Sequence, residues 1–165
     1  MINKKIKVKT FILLLIIAFF LQITFVSQYF HVFTPNFILI ILLAGSIVDR
    51  SSKIINISFI IGFILELFSD MYFGIIMVSI ILMVFVVSVL STLFIKRIFS
   101  YNLFFISTIG ILTYNTIHII LININEINNI LYIFNQLISI IIFQIIFTLI
   151  FIFPLTHFII QKNEE

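Results

Sequence analysis

Apolar residues run along this chain in long blocks, separated by brief polar interruptions. The first block, Phe11 to Phe30, follows Lys4, Lys5, Lys7 and Lys9. It is too long for the core of a secretory signal, and no small-residue cleavage site follows in Ser27-Gln28-Tyr29-Phe30. It predicts an uncleaved helix over 11–30. Thr34-Pro35-Asn36 opens a second helix, 35–48, with Thr34 as cap and Pro35 at the first helical position, where its missing N–H costs nothing. Asp49-Arg50-Ser51-Ser52-Lys53 is a polar turn. A third helix covers 54–68, and Ser69-Asp70-Met71-Tyr72 forms the next turn. The fourth, 73–95, stops at Lys96-Arg97. The fifth, 101–122, has Ser100 as its cap and ends at a polar loop from Asn123 to Asn129. The sixth, 130–160, contains Pro154. No internal repeat or linker breaks the pattern. The expectation is an all-α polytopic membrane protein with six transmembrane helices in one integral membrane domain, 1–165.

Composition strengthens this reading. Of 165 residues, 63% are hydrophobic and only 9% charged, with mean hydropathy +1.37. A soluble domain carries about 25% charged residues. Lipid is the solvent that suits such a chain. With no cysteine, disulfides, thiolate metal sites and cysteine nucleophiles are excluded. The net charge of +3 reflects where the lysines sit, not a nucleic-acid surface.

Charge placement sets the topology. With six crossings, the nine basic residues fall before helix one, between helices two and three, after helix four and after helix six, all on one side. The positive-inside rule makes that side, with both termini, cytoplasmic. The second and third helices are short: 14 or 15 residues rise only about 22 Å, against about 30 Å of hydrocarbon. A re-entrant hairpin would place Arg50 and Lys53 on the opposite side and spoil the sorting. The short pair is expected instead to gain length from its polar turns or to thin the bilayer locally.

Candidate chemistry is sparse. Glycine occurs only at Gly45, Gly62, Gly74 and Gly110, so there is no glycine-rich phosphate loop. His31, His118 and His157 fall at different depths and do not converge on a metal. No catalytic residue, metal or cofactor is expected. The most informative pattern is Ser58, Gly62, Glu66 and Asp70, four residues apart on one face of helix three. Ser58 and Gly62 form a small-xxx-small pair for close helix approach, and Ile61 beside them is expected on the lipid face. Glu66 is either a proton or substrate site or a hydrogen-bonded acid on a packing face. The second reading is preferred because no basic residue lies at its depth. Asn115 and His118, one turn apart with Thr116 nearby, line either a polar cavity or an interhelical hydrogen-bond cluster. Gln144, Asn135 and Gln136 read the same way. Ser88, Ser91 and Thr92 suggest close packing at the inner end of helix four.

The stretch Val32-Phe33-Thr34-Pro35-Asn36-Phe37-Ile38-Leu39-Ile40-Ile41-Leu42-Leu43, followed by Gly62-Phe63-Ile64-Leu65-Glu66-Leu67-Phe68-Ser69-Asp70-Met71-Tyr72-Phe73-Gly74, resembles the rod shape-determining protein MreD family. That family has a Pro-Asp or Pro-Asn pair opening a short Leu/Ile-rich second helix, then a glycine-rich helix with an acid, a turn and another glycine; the third helix here has fewer glycines than usual. The motif residues carried over are Pro35, Asn36, Ser58, Gly62, Glu66, Asp70 and Gly74. Glu66 stands where the family usually has Asp, and Asp70 where a small residue is common. The resemblance implies a non-enzymatic scaffold of the bacterial inner (cytoplasmic) membrane, acting in cell shape and lateral peptidoglycan synthesis. Its implied partners are an MreC-like membrane-anchored protein and, through it, the MreB filament and the elongation wall synthases.

A second reading is the substrate-binding S component of an energy-coupling-factor vitamin transporter. Such proteins usually carry an Ala-xxx-Ala docking face on the first helix, where this chain has only Ala18. A membrane-embedded enzyme would need a paired acid and base, or a metal cluster, at one depth.

Overall fold

A computed structural model describes residues 7–26, 36–49, 51–69, 72–94, 100–122 and 130–161. These residues form α1 Val8–Leu21, a π-helical extension Gln22–Val26, α2 Phe37–Val48, α3 Ser52–Leu67, α4 Ile75–Phe94, α5 Ser100–Ile122 and α6 Ile130–Gln161. No strand occurs among them. Three stretches are long and apolar enough to cross a bilayer: Ile75–Phe94, Tyr101–Ile122 and Ile141–Ile160. They mark the chain as a membrane protein. The remaining three helices are shorter: 14 residues in α1, 12 in α2 and 16 in α3.

The shortest helix sits at the centre. α2 touches each of the other five helices, and every residue from Ile38 to Val48 is buried. Its uniform apolarity lets other helices cover it on every side. Its twelve residues rise only about 18 Å. Because protein, not lipid, surrounds it, it need not match the bilayer.

Small residues fix how closely its neighbours approach. A Cβ on Gly110 of α5 would lie 2.5 Å from Leu43 Cδ2 of α2 and 2.7 Å from Val87 Cγ2 of α4, so three helices meet at that hydrogen atom. A Cβ on Gly45 would run into the Phe11 ring of α1. At the other end of α2, the Phe37 ring meets Phe147 and Phe151 of α6, with centroids 5.5 and 6.0 Å away. The backbone N–H of Phe37 donates to Gln22 Oε1, 3.0 Å away, in the π-helical extension of α1. With lipid tails as apolar as leucine, such packing and hydrogen bonds hold the helices together.

The start of α2 differs from expectation. Asn36 is its cap: Oδ1 accepts from Leu39 N at 3.0 Å. A short amide side chain reaches the N3 amide from the N-cap position, which moves the start two residues past the expected cap. Thr34 and Pro35 lie outside the described residues. Ser100, expected as a cap, is the first residue of α5. At the far end of α2, Asp49 is buried and its Oδ1 accepts from Ser51 N at 3.0 Å, turning the chain into α3. A carboxylate there faces the favourable, positive end of the α3 dipole.

Candidate functional site

The buried face of α3 is Ile54, Ser58, Gly62 and Glu66, a four-residue stripe against α4. Ser58 bonds within its own helix, Oγ donating to Ile55 O at 2.7 Å. Gly62 is the point of closest approach. A Cβ there would stand 2.9 Å from Met77 Cα, and backbone cannot move aside. Ile61 is half-buried against the core, while Ile60 is the exposed neighbour. The expected lipid-facing position is therefore one residue earlier.

One turn above Gly62, Glu66 is 4% exposed. Its Oε2 accepts from Met77 N at 2.9 Å and its Oε1 from Ile76 N at 3.4 Å. These amides belong to the first turn of α4, which no residue of its own helix can satisfy. A carboxylate from the preceding helix thus caps the next one, placed at its positive dipole end. Gly74 makes the geometry possible by turning the chain at φ +102. It is not a packing glycine, since a Cβ there would meet nothing within 4 Å. Its role is conformational, in a region that L side chains rarely adopt. Asp70, the fourth residue of the expected face, lies outside the described residues.

The second candidate group lies on α5 and α6. Asn115 Nδ2 donates to Gln144 Oε1 and to Ile111 O, both at 2.9 Å, forming a buried bridge between the two helices. His118 does not join it. Its ring stacks on Tyr114, one turn earlier, with centroids 5.4 Å apart and planes at 13°. His118 Nδ1 is buried and has no hydrogen-bond partner among the described residues. Tyr114 is the member the sequence reading missed, although its i, i+4 relation to His118 places the two on one face. Thr116 is exposed, away from this group. The side chains of Asn135 and Gln136 lie outside the described residues.

The remaining candidates do not converge. His157 is exposed on α6, and His31 lies outside the described residues. Ser88 and Ser91 are buried on α4, and Thr92 is exposed, its Oγ1 donating to Val89 O at 2.6 Å. Among the described residues, no three His, Asp or Glu groups come together as metal ligands would.

Comparison with protein-family models, with curated proteins and with solved structures finds no match to this chain.

Proposed function

We propose that the protein is a non-catalytic scaffold of the bacterial inner membrane, acting within the cell-elongation machinery. The observation that carries this reading is the engagement of Glu66. This buried acid is held by the amides of Ile76 and Met77, as part of the joint between α3 and α4. That joint is built from the residues by which the sequence resembles the MreD family: Gly62 for close approach, Glu66 for the cap and Gly74 for the turn. The Asn115–Gln144 bridge likewise joins two helices. Polar groups used in this way favour a rigid body that presents helix faces over one that turns over a substrate.

In this reading the six helices each cross the membrane, with both termini and the Asp49–Lys53 turn in the cytoplasm. The partners are an MreC-like anchored protein and, indirectly, the MreB filament and the wall synthases. Depleting the protein in its rod-shaped host tests the proposal. Rounded, swollen cells are expected, together with loss of MreC from the recovered elongation synthases. Normal shape with blocked uptake of a vitamin would instead favour the S-component reading.

A further inference from the structure

The exposed stripe of α3 is Lys53, Asn56, Ile60, Phe63 and Leu67, opposite the face that packs on α4. It holds two chemistries. From Phe59 to Phe68 its exposed positions are apolar, yet that stretch climbs only about 14 Å, far less than the roughly 30 Å of a hydrocarbon core. Beyond it stand Tyr72 and Phe73, 75% and 67% exposed. The Tyr72 ring, apolar with a hydroxyl at its tip, suits the level of the lipid headgroups and fixes that end of the stripe. The shortfall is therefore taken up at the other end, where Lys53 and Asn56 sit one turn apart on the same face. Neither forms an ion pair or a side-chain hydrogen bond among the described residues. The ammonium offers three donors and the amide two. At i and i+3 their Cβ atoms are about 5–6 Å apart, a span one phosphate bridges.

We propose that Lys53 and Asn56 hold the headgroup phosphate of an anionic phospholipid, drawn toward the bilayer centre along the short face of α3. A phosphate supplies the acceptors both side chains need at a depth where hydrocarbon would supply none. Its net negative charge favours phosphatidylglycerol or cardiolipin over a zwitterionic lipid. The proposal rests on the chain being embedded in a bilayer with this face of α3 toward lipid. It does not depend on which side of the membrane the Ser52 end occupies.

The test uses the full chain in nanodiscs of phosphatidylcholine doped with phosphatidylglycerol. The lipid retained by the protein is counted by mass spectrometry. Wild type should enrich phosphatidylglycerol, and the Lys53→Gln/Asn56→Leu variant should lose about five-fold of that enrichment, the worth of one interfacial cation. Lys53→Arg should keep it. Both changes lie on an exposed face, so folding is preserved. A photoreactive residue at Phe63 reports separately on the orientation of the face. Labelling of lipid tails at Phe63 without any phosphatidylglycerol preference in wild type would overturn the phosphate site and leave the membrane reading intact. Absence of tail labelling at Phe63 would overturn both.

Discussion

Glu66 contributes as an acceptor, and this sets the order of its variants. Glu66→Gln keeps one side-chain oxygen, enough for the 2.9 Å bond from Met77 N. Glu66→Ala leaves two first-turn amides of α4 unsatisfied, at a cost of about 1–3 kcal/mol. Melting of the purified protein should therefore fall much further for Ala than for Gln, and shape complementation should follow the same order. Equal loss from both variants would mean that the charge, not the hydrogen bond, is what the protein needs. Gly62 makes a sharper demand. With Met77 Cα 2.9 Å from any added Cβ, Gly62→Leu should destabilise by about 2 kcal/mol or more, whereas Ile60→Leu on the exposed face should stay within about 0.5 kcal/mol. Similar melting of the two variants would contradict the close approach of α3 and α4.

At the level of elements, the hydrogen-bonded bridge makes α5 and α6 energetically dependent. Asn115→Leu strands Gln144, and Gln144→Leu strands Asn115, so the double variant should be less destabilised than the sum of the two. A double-mutant cycle read by thermal unfolding should give a coupling of about 1 kcal/mol. Additive single effects would show that the bridge contributes nothing. The α3 face was legible because Ser58, Gly62 and Glu66 are the small and polar residues of a run that is otherwise apolar from Ile57 to Leu67, so their spacing marks a side. The face of α2 was not legible. From Phe37 to Leu43 every residue is apolar, and uniform hydrophobicity carries no direction. Its central position emerges only from the packing. The π-helical turn at Gln22–Val26 had no signal either, since a shift from i+4 to i+5 bonding needs no special residue. Tyr114 went unnoticed because an aromatic among apolar residues looks like core, although its ring is the platform for His118.

For the whole molecule, the proposed six-crossing topology yields a direct measurement. The chain has no cysteine, so a single substitution at Ser51 reports without background. An impermeant thiol reagent should fail to label it in intact cells and should label it in inverted vesicles. Labelling in intact cells would place the α2–α3 turn outside and overturn the proposed topology. Helix length is unevenly distributed around the molecule. α4, α5 and α6 have 20, 23 and 32 residues, whereas α1 and α3 have 14 and 16.

The burial of α2 also constrains how the protein is made. α2 leaves the ribosome directly after α1, yet α4 and α6, which cover much of its surface, come later in the chain. Until they arrive, an 18 Å apolar rod has neither the length to span the bilayer alone nor the neighbours to shield it. It must be held meanwhile by the insertion machinery or by distorted lipid, and its burial is completed only after translation of α6. A photocrosslinker at Leu42, fully buried in the finished fold, should capture the insertion machinery or lipid in ribosome-bound chains ending before α6. In the released full chain it should capture only the protein itself.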